Sequence, residues 1–564
     1  MTGNITKNPT DISPAQPRCA WKSLAPGAEI NQAAWSDQAS RFLQPSLVSL
    51  LTRLHRELDG ERRRLLAARD ERQQRFNAGA VPDYLPEGAS VRGRDWRVAP
   101  LPPDLLTRRV EITGPVNDTK MVINMLCRNE DGQRADAAML DFEDSMKPTW
   151  QNVMDGVDNL VGAANNDLTF EKRSPTGDVV KRYAVDASDM PLLMVRCRGL
   201  HLDESNLRID DTPISGGLLD LALSAFHTAE VLSCRGKTPK YYVPKCEHYL
   251  EARWWNALFR RLEGALSLPR GTLRATFLIE TLPAAFQMEE ILFEIRERAA
   301  GLNVGRWDKI FSDIKVLREH PDRVLADRAS ISLNRPWMKA YAEALINICH
   351  RRGALAMGGM AAFTPGKTAE RRQEQTRKVV ADKEFEYRLG HDGCWVSHPY
   401  FIGPALSSFV TDNQIDRIPP CPERPDLLPA GSGPRTLDGL RTNVRVGIGY
   451  LRGWNEGIGC VAWDDLMEDL ATLEISRAQI WQWLRHAVVL DDGTEVTRDL
   501  VLKIFDEELQ KIIDEVRTTL AEATSGVIDA EVNAFALAKR DAAEIFTEEQ
   551  FRSFLSTRSE LVPD

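Results

Sequence analysis

The stretch Ala300-Gly301-Leu302-Asn303-Val304-Gly305-Arg306-Trp307-Asp308-Lys309-Ile310-Phe311 places a carboxylate directly after a glycine-punctuated turn and in front of an apolar run. A second acid, Glu280, ends the run Ala275-Thr276-Phe277-Leu278-Ile279. That run is apolar apart from one threonine, and its length and β-branched and aromatic content are those of a buried parallel strand. Two oxygen ligands delivered from adjacent elements suit Mg²⁺, which takes one or two protein carboxylates and leaves its other positions to water and substrate. By residue type alone the commoner reading is structural, with Glu280 a strand-end acid in a surface loop and Asp308 a helix cap.

The same texture extends outward over residues 91–416. Short apolar runs at Val110–Ile112, Ala137–Phe142, Leu192–Arg196, Tyr241–Val243, Ala275–Ile279, Lys309–Phe311, Ala354–Met357 and Cys394–Val396 read as strands. Helical stretches at Leu218–Leu232, Glu251–Leu266, Phe286–Ala300 and Pro336–Arg352 fall between many of them. Repeated β-then-α alternation over roughly 300 residues predicts an α/β fold, and a (β/α)₈ TIM barrel is the member of that class with this length. Polar groups gather just past the strand ends: Asp141, Glu143 and Asp144; Arg196 and Arg198; Lys245 and Glu247; Glu280; Ser397 and His398. In such barrels that face carries the chemistry.

The flanks differ. Residues 1–90 open with a Pro/Asn-rich lead and read as helix over Pro45–Ala78, with Leu47, Leu50, Leu51, Leu54 and Leu58 at helical spacing. Arg62, Arg63 and Arg64 follow among acids and read as a solvated face. Residues 417–435, with six prolines and two glycines, read as a linker. Residues 436–564 read as a second, mostly helical domain, amphipathic over Arg498–Ala521. Within it Met467-Glu468-Asp469 stands at a loop-to-helix junction, where a helix N-terminus favours a carboxylate and capping is the default reading.

Composition narrows the partners. Hydrophobic content of 43% and charged content of 27% are those of a soluble globular chain. A net charge of -10, from 72 basic and 82 acidic residues, gives no general attraction to phosphate backbones, so nucleic acid is not expected. No uncharged apolar run approaches the ~20 residues of a membrane span. The nine cysteines contain no CxxC pair and are odd in number, which points to reduced thiols in a cytoplasmic compartment.

Several blocks together resemble malate synthases of the A (glyoxysomal-type) class: Asp95–Pro100, Arg108–Val116, Asp141–Ser145, Pro148–Trp150, Val195–Leu202, Gly301–Phe311, Met357–Phe363, His391–Gly393 with His398-Pro399, and Met467–Asp469 with Glu474–Arg477. The resemblance implies a TIM barrel with an N-terminal helical clasp and a C-terminal helical plug. It implies Mg²⁺ held by Glu280 and Asp308, Arg196 as the catalytic arginine and Asp469 as the catalytic base. It further implies a glyoxylate-binding turn at Gly305, Trp307 and Asp308, and pocket-lining acids at Asp141 and Glu143. The implied reaction joins acetyl-CoA to glyoxylate and hydrolyses the product to malate and CoA. The alternative is a related CoA-ester aldolase or lyase that leaves the thioester intact. The chain departs from the family pattern at Arg298 and Lys309, where histidine and tyrosine are usual, and at Leu470 and Leu473, where alanine is common.

Overall fold

The computed structural model describes residues 20–563. Eight parallel strands close into a barrel: β1 Val110–Pro115, β2 Ala137–Asp141, β3 Leu192–Arg196, β4 Lys240–Val243, β5 Arg274–Ile279, β6 Ala299–Val304, β7 Leu355–Ala361 and β8 Gly393–Val396. Each pairs with its successor, and Cys394 to Val396 of β8 lie against Val110 to Ile112 of β1 to complete the circle. β1, β2, β3, β4, β6 and β8 are buried along their whole length, as strands walled by helices outside and packed side chains inside must be. The interior is filled by Met139, Met194, Tyr242, Leu278 and Trp395, and an Arg108–Glu111 pair is hydrogen-bonded there to Tyr242 and Trp395.

Two expectations fail locally. Lys309–Phe311 is not a strand but part of the Arg306–Val316 helix, and the sixth strand is Ala299–Val304. Ile310 and Phe311 are buried within that helix, and Gly305, its N-cap, marks where strand becomes helix. The helix expected over Phe286–Ala300 is shorter, Met288–Glu294, because its final alanines are drawn into the barrel.

In front of the barrel, the Pro45–Asn77 helix buries the expected leucines. Arg63 and Arg64 are exposed, but Arg62 is not: its Nε donates to the Leu200 carbonyl at 2.9 Å. A buried guanidinium needs such partners, and the barrel loops supply them. Residues 417–435 contain no helix or strand.

Beyond them stand the helices Leu437–Asn455, Leu470–Arg485, Arg498–Thr519 and Ser525–Phe546 and a short hairpin, Val461–Trp463 with Leu466–Glu468. These share a core of their own around Leu440, Ile448, Leu473, Ile480, Trp483 and Phe505. The Leu470–Arg485 helix is buried on nearly all sides because it also packs on the Arg306–Val316 helix of the barrel. Backbone bonds from Met467 N to Ala362 O (2.7 Å), Thr364 N to Asp465 O (2.9 Å) and Leu470 N to Asp144 O (3.1 Å) fasten this domain over the strand ends. No helix among the described residues is long and apolar enough to cross a membrane.

Candidate active site

The C-terminal ends of the strands and the capping domain line a common cavity. Arg196, Glu280, Gly305, Trp307, Asp308 and Asp469 all line it, so six of the eight sequence-designated residues meet there. Asp141 and Glu143 do not line it; Asp141 pairs with Arg196, which does, and Glu143 with Lys245.

Glu280 follows the last residue of β5 and is fully buried. Its Oε1 accepts the backbone N–H of Lys245 at 2.6 Å, while Oε2 has no hydrogen-bond partner. Gly305 lets β6 pass beside it, since a Cβ there would lie 2.7 Å from Glu280 Oε2. Asp308 stands in the first turn of the Arg306–Val316 helix, 7% exposed. Its Oδ1 lacks a hydrogen bond of proper geometry, although the Lys245 ammonium lies 3.1 Å away. Backbone N–H groups in the first turn of a helix have no intrahelical acceptor, so this turn also offers an anion site facing the cavity.

Arg196 ends β3 in register with Asp141, the last residue of β2. The pair is bidentate, Nε to Oδ1 at 2.7 Å and Nη2 to Oδ2 at 2.6 Å. Asp141 is itself fixed by the N–H groups of Glu143 and Ser145. The guanidinium lies 5.6 Å from the Trp395 ring centre, and its remaining nitrogen, Nη1, is 3.5 Å from Glu143 and 3.6 Å from Asp144. Lys245 contacts Glu143 at 2.6 Å and Asp144 at 2.8 Å.

Asp469 is the N-cap of the Leu470–Arg485 helix in a full capping box. Its Oδ1 accepts Thr472 N at 3.2 Å, and Thr472 Oγ1 accepts Asp469 N at 3.0 Å. Capping and exposure to the cavity are thus compatible in one carboxylate with two oxygens.

Six carboxyl groups, Asp141, Glu143, Asp144, Glu280, Asp308 and Asp469, surround the two cations Arg196 and Lys245. Burial, with Asp144 beside them, pushes Glu143 and Asp308 well above the usual carboxylate range. Burial pushes Glu280 up to about 7, against the pull of Lys245. Burial and the charge of Asp144 push Asp469 up to about 7. Asp144 alone is held low, because Lys245 and Arg196 outweigh its burial. A buried cluster of six carboxyl groups around two cations, with Glu280 Oε2 unpartnered and Asp308 Oδ1 met only by Lys245, fits a small divalent cation. Among the described residues no group of three or more His, Cys, Asp or Glu is arranged as a metal cage, so such a cation would complete its shell with water and ligand.

Beside the cavity lies a wider cleft of about 1050 Å³, lined by Lys120, Arg128, Lys181, Arg182, Lys367 and Arg372 among others. Lys181 and Arg182 come from a hairpin, Thr169–Arg173 with Val179–Ala184, inserted between β2 and β3. Lys120, Lys181 and Lys367 have no ion-pair partner among the described residues.

Sequence reading gave no role to Lys245, Asp144, Trp395 or Cys460. Lys245 and Asp144 were visible as polar residues past strand ends. Nothing local, however, marks Lys245 as adopting φ 53°, a conformation that favours glycine.

Three family models match the chain: malate synthase N-terminal domain over residues 36–90, malate synthase TIM barrel domain over 192–419, and malate synthase C-terminal over 434–560. Malate synthase A of Escherichia coli is 43% identical over 490 residues, spanning 86% of this chain and 90% of its own. Malate synthase of Myxococcus xanthus is 44% identical over 502 residues, 87% and 90% of the two chains. The glyoxysomal malate synthase of Candida tropicalis is 41% identical over 491 residues, 84% and 87%.

Proposed function

The chain belongs to the malate synthase family, and from that premise we propose how its own residues condense acetyl-CoA with glyoxylate and hydrolyse the product to malate and CoA. The observation that carries the reading is the single cavity shared by Arg196, Glu280 and Asp308 from the barrel and Asp469 from the capping domain.

Glu280, through its unpartnered Oε2, and Asp308 would hold Mg²⁺. When bound there, the ion would supply Lewis-acid polarisation of the glyoxylate aldehyde. The first turn at Gly305, Trp307 and Asp308 receives the glyoxylate carboxylate at a helix N-terminus. Asp469 removes a proton from the acetyl methyl group, a weak carbon acid, and a carboxyl pushed up to about 7 is well matched to that task. Arg196, held by Asp141 at two of its nitrogens, directs Nη1 at the enolate oxygen as charge develops there. The enolate carbon bonds to the aldehyde carbon, and water then cleaves the thioester, releasing the CoA thiol. The lysine-lined cleft beside the cavity has the charge to hold the phosphates of CoA.

The C-terminal domain, which delivers Asp469, disfavours a lyase that stops at the CoA ester. Purified protein given acetyl-CoA, glyoxylate and Mg²⁺ should release one free thiol per malate formed. Accumulation of a CoA ester without thiol would overturn the hydrolytic assignment.

A further inference from the structure

Lys245 connects the two carboxylates assigned to the metal. Its backbone N–H reaches Glu280 at 2.6 Å, and its ammonium lies 3.1 Å from Asp308. Both contacts come from one residue because φ is 53°, turning the N–H toward β5 while the side chain runs inward. A residue with a Cβ resists this conformation, so something must hold it.

The holder is outside the barrel. Arg69, on the Pro45–Asn77 helix and 7% exposed, donates from Nη2 to the Lys245 carbonyl at 2.7 Å. The same guanidinium is locked onto Glu251 by bonds of 2.8 and 2.6 Å, and Glu251 accepts the backbone N–H of Glu247 at 2.8 Å. The Thr281 hydroxyl grips the next carbonyl, of Cys246, at 2.6 Å. Without Arg69 the Lys245 carbonyl loses this charge-assisted donor, and the peptide is free to turn toward an ordinary φ, carrying its N–H away from Glu280.

We propose that Arg69 is a positioning residue for the metal-binding carboxylates: from the N-terminal helix it fixes the Lys245 backbone that aligns Glu280 and Asp308. The inference rests on the assignment of Glu280 and Asp308 as metal ligands. It gives the N-terminal helix a part in the chemistry although none of its side chains lines the cavity.

Mg²⁺ titration calorimetry on the full-length chain tests it, with thermal melting alongside. Arg69→Met should weaken Mg²⁺ binding at least tenfold. Arg69→Lys, which keeps the charge but cannot span the Lys245 carbonyl and both Glu251 oxygens, should give a smaller loss and decides the matter if Arg69→Met does not fold. Arg62→Met is the control: Arg62 is also buried on the same helix and also donates to a barrel carbonyl, that of Leu200. It should lower the melting temperature while leaving Mg²⁺ affinity within about twofold. Asp308→Asn should abolish binding. If it does not, the metal assignment fails and the inference falls with it. If Asp308→Asn abolishes binding but the folded Arg69 variants bind as wild type does, or Arg62→Met loses as much affinity as they do, only the positioning role is overturned.

Discussion

Replacing Asp469 by asparagine separates its two structural roles. The capping bond from Thr472 N can be made equally well to an amide oxygen, and asparagine ranks with aspartate as an N-cap, so loss of the cap should cost well under 1 kcal/mol. The charge behaves differently. Burial first, then the nearby Asp144, lift the Asp469 pKa from 3.8 to about 7. A carboxyl whose folded pKa exceeds its unfolded one makes folding take up a proton, so stability falls as pH climbs from about 4 to about 7. At about 1.4 kcal/mol per pH unit, that rise sets a ceiling of roughly 4 kcal/mol at pH 8, a penalty the asparagine variant escapes. The variant should therefore melt at or above the wild-type temperature at pH 8, and its advantage should shrink by more than half at pH 5. Condensation, followed as thiol release, should fall by ~10² to 10⁴, the range for losing a general base. Solvent-deuterium exchange into the acetyl-CoA methyl group should disappear with it. Turnover within tenfold of wild type, or a stability loss unchanged between pH 5 and pH 8, would reduce Asp469 to a helix cap.

Metal binding should be pH-dependent, because Glu280 must be ionised to ligate and burial holds it at about 7. Apparent Mg²⁺ affinity should rise about tenfold or more per unit between pH 5.5 and 7, because Asp308, also raised by burial, must ionise as well; a flat profile by calorimetry would remove Glu280 from the shell. Leu473 is fully buried and Leu470 half-buried in the core of the C-terminal domain, and neither lines the cavity. Leu473→Ala should cost about 2 to 5 kcal/mol and Leu470→Ala less, with preference among 2-oxo acids unchanged. A shift in that preference at constant melting temperature would place them at the substrate. Lys367→Glu in the basic cleft should raise KM for acetyl-CoA several-fold, with kcat nearly constant and the effect fading at high salt. An unchanged KM would move the CoA phosphates elsewhere.

Much of this protein is local in origin. Strand β5 and the acid that ends it, the leucine face of the Pro45–Asn77 helix and the helix Pro336–Arg352 follow from periodicity, residue shape and breakers, which act over a few neighbours and are written in the chain. So is the order of strand and helix that makes a barrel, with its polar residues past the strand ends. The departures at Arg298 and Lys309 become intelligible only in three dimensions. Arg298 is buried before β6 against Glu263, away from the cavity, and Lys309 pairs with Asp313 on its own helix. The run Lys309–Phe311 could serve a strand or a helix, and it lies in the helix that packs against Leu470–Arg485. Likewise, an arginine on a charged helix looks solvated until a barrel loop offers it a carbonyl, as happens to Arg62 and Arg69. The meeting of Asp308 with Asp469, and the left-handed turn of Lys245 between Glu280 and Asp308, depend on contacts between segments far apart in the chain. Burial, charge and hydrogen bonding are properties of such neighbourhoods rather than of residues, so only the tertiary structure could raise these carboxyl groups toward neutrality and leave Glu280 Oε2 without a partner beside Asp308.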